Sequence, residues 1–157
     1  INNTDKQFKR VKNDFNLDKS FFKRFHYRYT GRSTRNGVSV LVFQFSPKAN
    51  LSENHYFDRV ANKLIGELEI RESDNALLVF KAHLPAGSNV SYAVPPLAGG
   101  KVQSATIRVG TIDWEGGLTL PADVRIDVNY SVSILLSTTH YKHSKNFFLK
   151  EPVEKIR

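Results

Sequence analysis

The side chains in this sequence with the means to bind a metal or move a proton are few. They are five histidines, His26, His55, His83, His140 and His143, and a scatter of carboxylates led by Asp58, Glu67, Glu69, Asp74, Asp113 and Glu115. Metal binding needs ligands that converge. No HExxH pair is present, and His140 and His143, three apart on an expected strand, project to opposite faces because strand side chains alternate. The histidines read as surface or sheet residues. Glu67 and Glu69 do share a strand face, but a glycosidase pair needs opposed carboxylates flanking the scissile bond. Exposed charges on the polar face of an amphipathic strand, with Arg71 beside them, account for both.

Nucleophilic and phosphate-loop chemistry fare no better. There is no GxSxG elbow, and Gly99-Gly100-Lys101 resembles only the tail of a GxxxxGK[ST] loop. With no cysteine in the chain, disulfides, thiolate nucleophiles and cysteine-based metal sites are all excluded. The sequence therefore predicts no catalytic residue, no metal, no cofactor and no enzyme.

Charge is the stronger signal. The formal net charge is +8 and the sequence pI about 9.8, a field that attracts acidic proteins, phosphates and anionic lipids. The excess gathers toward the ends, in Lys6–Arg35 and again in Lys142–Arg157, while Leu51–Ala122 is nearly balanced. In Phe21–Tyr29 aromatics and basic residues interleave, but alternation sends them to opposite faces. That argues for a core face backed by a basic surface rather than a nucleic-acid stacking platform.

The elements that must position these groups are mostly strands. From Phe25 the period is two, with Phe25, Tyr27, Tyr29 and Gly31 on one side and His26, Arg28 and Thr30 on the other. Asn36-Gly37 supplies the positive-φ pair of a type I′ hairpin, so strands are expected at about 24–34 and 38–46. Val38–Phe45 and Ala76–Leu84 are apolar on both faces. Ser52 is expected to cap a helix carrying Tyr56, Phe57, Val60, Ala61 and Leu64. Leu64–Ile70, Val90–Val94 and Val102–Trp114 read as further strands. Val124, Ile126, Val128, Tyr130, Val132, Ile134 and Leu136 alternate with polar residues, the mark of a long strand with one wet and one dry face. Phe8, Val11 and Phe15 allow a short helix near the start. No stretch approaches the roughly 18 apolar residues of a membrane-spanning helix. The expected organisation is a basic lead-in over 1–22, an antiparallel β domain over 23–149 and a charged tail over 150–157.

The order of motifs carries a resemblance. Tyr27-Arg-Tyr-Thr-Gly-Arg32 is followed by Asn36-Gly-Val-Ser-Val-Leu-Val-Phe-Gln-Phe-Ser-Pro-Lys48. After these come Asp58-Arg-Val-Ala-Asn-Lys-Leu-Ile-Gly-Glu-Leu-Glu-Ile70 and Glu72-Ser-Asp-Asn-Ala-Leu-Leu-Val-Phe-Lys-Ala82, then Trp114 and Leu120-Pro121. Over about Phe25–Phe148 this resembles the later part of the bacterial periplasmic LolA/LolB/RseB-like, lipoprotein-sorting superfamily. The resemblance implies a curved antiparallel sheet, a half or unclosed barrel, with one or two short helices over an apolar hollow. It also implies a non-enzymatic carrier for a lipid, acyl chain or lipoprotein. Some 24 residues precede the first strand, so the first portion of such a fold is shortened.

Phe25, Tyr27, Tyr29, Leu68, Ile70, Leu78, Phe80, Val128, Tyr130 and Val132 are the residues expected to line that apolar face. A cell-envelope module docking an acidic partner or anionic lipid surface through its basic face is the alternative. A periplasmic or otherwise extracytoplasmic setting fits the resemblance and the lack of cysteine, and the opening at Ile1 suggests an upstream segment. No nucleic-acid partner is expected.

Overall fold

The computed structural model describes residues 19–54, 56–88, 90–94, 98–114, 118–134 and 137–148; the lead-in before Lys19, with its expected helix, and the charged tail lie outside them. Eight antiparallel strands form one unclosed sheet, a half-barrel, accompanied by two short helices. In chain order these are α1 (Lys19–Phe22), β1 (Phe25–Arg35), β2 (Val38–Pro47), α2 (Tyr56–Ala61), β3 (Ile65–Arg71) and β4 (Leu77–His83). They are followed by β5 (Val90–Val94), β6 (Ala98–Trp114), β7 (Leu118–Ile134) and β8 (Ser137–Phe148). The sheet order is β1-β2-β3-β4-β6-β7-β8. Strand β6 is long enough to serve two partners on one edge, β5 along Ala98–Val102 and β4 along Thr106–Gly110, while β7 runs down its other edge.

Local chemistry explains the joints. Asn36 (φ 49°) and Gly37 (φ 78°) both adopt the left-handed region, as the expected type I′ turn requires. At the β3–β4 turn Asp74 Oδ1 accepts a hydrogen bond from the Ala76 amide at 3.1 Å and Asn75 takes φ 60°, a usual role for these residues. The helix α2 begins at Tyr56, later than a cap at Ser52 implies; the Ser52 carbonyl instead accepts from Asn62 Nδ2 at 3.2 Å. The strand expected over Val102–Trp114 begins earlier, at Ala98, so that Gly99 and Gly100 lie within β6 and pair with Ala93 and Tyr92.

Register aligns the apolar residues in rows across the sheet. One row runs Tyr29, Phe43, Leu68, Phe80, Val109, Val124, and the next runs Tyr27, Phe45, Gly66, Ala82, Ile107, Ile126. Over these rows the helices lay Phe21, Val60 and Ala61, and Leu64 follows α2 into the same cluster. Aromatic edges fix the packing: Phe21 meets Phe25 at 5.2 Å and Phe80 at 5.8 Å, both edge to face. Arg24 ties the layers, donating from Nη2 to Asp58 Oδ1 at 2.5 Å and from Nη1 to Asn62 Oδ1 at 2.7 Å.

The strands that are apolar on both faces bury part of their second face as well. Val40 (1 % exposed) and Val79 (6 %) are buried yet stand outside the main cluster. Arg71 is the cross-strand partner of Val40, and Glu69 that of Val79. Arginine stems cover apolar surface while their heads stay polar. Arg35 clasps Glu69, and Arg71 clasps Asp113.

Candidate functional site

The apolar face is in large part the protein's own core. Of the residues expected to line it, Phe25, Leu68 and Phe80 are fully buried in the main cluster, and Ile70, Val128 and Tyr130 pack half-buried against it. Tyr27 and Tyr29 share the face but are 42 % and 54 % exposed at the β1 edge, where each leans on the phenylalanine opposite it, Phe45 and Phe43. Val132 is half-buried on the same face, opposite Gly100 and Thr139. Leu78 does not belong with them. The β3–β4 register shifts between Glu69 and Ile70, which pair with Val79 and Leu77, so Leu78 is the unpaired bulge residue and Leu77 reaches the core instead.

A second bulge decides where charge goes. In β1 the register shifts between Tyr29 and Gly31, which inverts the parity of everything after it. Gly31 thus departs from the alternation of Phe25, Tyr27 and Tyr29. Arg35 consequently joins the polar face and meets Glu69 through two hydrogen bonds, Nη2 to Oε1 at 2.7 Å and Nε to Oε2 at 2.5 Å. Glu69 is buried (8 % exposed), a correction to its reading as an exposed charge, and the Arg35 hydrogen bonds hold its carboxyl below the usual range.

That polar face carries an open groove about 660 Å³ in volume. Its walls come mostly from positions of one parity, His26 and Arg28 on β1, Gln44 and Ser46 on β2, Ile65 and Glu67 on β3, Lys81 and His83 on β4, with Tyr27, Phe45 and Gly66 of the other parity between them. Arg28 Nη2 donates to Gln44 Oε1 at 2.6 Å, and Lys81 Nζ stands 4.0 Å from Glu67 Oε1. Register extends this edge into one row across six strands, Arg28, Gln44, Glu67, Lys81, Arg108, Arg125, with four cations to one carboxylate. In neighbouring rows Asp127 Oδ2 lies 3.6 Å from Arg125 Nε.

Among the described residues no group of three or more His, Asp or Glu side chains gathers to hold a metal, and no helix is long and apolar enough to cross a membrane. As expected, His140 and His143 diverge: His140 Nδ1 meets Gln103 Nε2 at 3.2 Å, while His143 pairs opposite Val128. His55 lies outside the described residues.

No family model, curated protein or solved structure matches this chain.

Proposed function

We propose that this chain is a non-enzymatic binding module of the cell envelope, in an extracytoplasmic setting, that docks an anionic partner surface on the polar face of its sheet. The observation that supports this reading is the row Arg28-Gln44-Glu67-Lys81-Arg108-Arg125, in which four of six strands contribute a cation and one a carboxylate. Lys101 and Lys142 lie on the same face, and its one buried carboxylate, Glu69, is neutralised by Arg35. The opposite face is occupied by the protein's own helices and rings. Where they cover it, that face is spent on the core, while Arg28, Gln44, Arg108 and Arg125 on the basic face are exposed.

Docking of this kind weakens as salt rises, because exposed charges are screened over about 8–10 Å at 0.1–0.15 M. Co-sedimentation with vesicles containing anionic lipid, and retention on an acidic polypeptide, should both be strong at low ionic strength and fall steeply toward physiological salt. The arm that responds identifies the partner class. Salt-insensitive association, or none in either arm, overturns the proposal.

A second reading, a carrier for a lipid, acyl chain or lipoprotein, is favoured by one observation. Beyond the part of the core that α1 and α2 cover, Val124, Ile126, Val128 and Tyr130 are half-buried, and Ile134 and Tyr141 are 56 % and 46 % exposed. Titration with a fluorescent fatty acid tests it, and such binding should barely respond to salt. Failure to take up the probe removes this reading.

A further inference from the structure

We propose that the groove between β1 and β4 is a binding site for a phosphoryl group, carried either on a small polar molecule or on a lipid head. This rests on the reading of the polar face as an anion-docking surface and names what one part of that face takes.

Three strands send donors into the groove: His26 and Arg28 from β1, Gln44 and Ser46 from β2, Lys81 and His83 from β4. Arg28 is oriented by its single arm on Gln44, and a guanidinium fixed in this way presents its other N–H groups to a ligand in a set geometry. The one carboxylate in the lining, Glu67, stands beside Lys81, and its remaining acceptor capacity suits a hydroxyl on the body of the ligand.

The arrangement selects among anions. Strands stand about 4.8 Å apart, so donors from β1, β2 and β4 approach a central anion from separate directions. A phosphoryl group turns three oxygens outward and accepts from several sides, whereas a planar carboxylate offers two. A volume of about 660 Å³ falls in the range of roughly 300–1,000 Å³ found for small-molecule sites. The groove has room for a phosphate ester with its polar body as well as for the anion alone.

The test titrates the full chain at constant ionic strength with inorganic phosphate, with glycerol 3-phosphate and with acetate, read by amide and imidazole chemical shifts. Vesicles of phosphatidic acid in phosphatidylcholine form a further arm. Saturable shifts centred on His26, Arg28, Lys81 and His83 are expected with either phosphoryl probe or with the vesicles. The soluble arms mark a free ester, and the vesicle arm alone marks a lipid head. Affinity should fall about tenfold or more in Lys81→Gln, the scale of losing one charge-assisted contact, and likewise in Arg28→Gln. It should hold in Arg59→Gln, which removes a cation on α2, away from the polar face of the sheet.

Saturation by acetate with equal affinity, no saturation by any phosphoryl probe, or undiminished affinity in both groove variants overturns the inference. Two outcomes separate this site from the wider reading. If the groove saturates while vesicle and polypeptide association ignores salt, general docking fails and the site stands. If docking is salt-dependent but no phosphoryl probe or headgroup moves the groove residues, the site fails and docking stands.

Discussion

Phe45 and Phe80 stack with ring centroids 5.1 Å apart and planes 6° from parallel, although a whole strand separates β2 from β4. Gly66 on that intervening strand makes this possible. A Cβ placed there would stand 2.7 Å from Phe45 Cζ and 1.9 Å from the Lys81 carbonyl oxygen, so neither the ring nor the neighbouring backbone leaves room for a methyl group.

Gly66→Ala is therefore expected to cost about 3 kcal/mol or more, since a contact with backbone relaxes only by moving a strand. Denaturant unfolding followed by tryptophan and tyrosine fluorescence reads this directly. A loss below about 1 kcal/mol, the ordinary range of tolerated substitutions, would show that β3 and β4 separate easily and that the stack is not fixed by the glycine.

The Arg35–Glu69 clasp predicts a pH dependence. Glu69 has its folded pKa depressed, chiefly by hydrogen bonds from Arg35. Its contribution to stability is then complete above the ordinary glutamate value of about 4.3 and fades as pH falls through the lower folded value. Arg35→Met should cost about 1–2 kcal/mol at pH 7, the lower part of the range for hydrogen bonds to charged groups, because Arg35 is partly solvated. Glu69→Gln should flatten the acid limb of the stability curve. Equal acid slopes in Glu69→Gln and the parent would contradict the assignment.

How much of this was legible in the sequence depends on distance along the chain. The Asn36-Gly37 hairpin and the Val124–Ile134 stripe were readable because turn chemistry and alternation are local, and the structure has both. Arg35 was not, because a single bulge between Tyr29 and Gly31 inverts its face, and no count of alternating residues contains a bulge. Leu78 fails for the same reason. Glu69 reads as exposed because its chain neighbours are polar, whereas in the sheet it stands between Val42 and Val79 on the flanking strands. The groove was hidden most thoroughly: His26 and His83 are far apart in sequence and share a wall only through the pairing of four strands.

Arg24 offers a test of how the helices are held to the sheet. It bridges to Asp58 and Asn62, and Asp58 is buried at 6 % exposure. Removing one partner of such a pair leaves the other charge short of hydrogen bonds, so Arg24→Met should destabilise by about 1–3 kcal/mol. Amide exchange should quicken first in Tyr56–Ala61 and Lys19–Phe22, before the central strands, as local opening precedes global unfolding. Uniform quickening across β3 and β4 instead would mean that this bridge supports the sheet as a whole.

Tyr27 makes the opposite prediction, at alkaline pH. Its hydroxyl donates to the Phe22 carbonyl at 2.6 Å, and burial pushes its pKa from 10.0 up to about 12. An acid whose folded pKa is raised contributes stability fully below its unfolded value and loses that contribution as pH climbs through the folded one. The window is therefore pH 10 to about 12. Tyr27→Phe should be the less stable protein near pH 8, by no more than the roughly 1 kcal/mol of one exposed hydrogen bond, and the gap should narrow as pH rises past 10. The chain has five other tyrosines, so the quantity to follow is the difference between parent and variant. A gap that stays constant from pH 8 to 11.5 would show that the phenol ionises as freely in the folded protein as in the unfolded one, and the contact with Phe22 would then contribute nothing to holding α1 against the β1 edge.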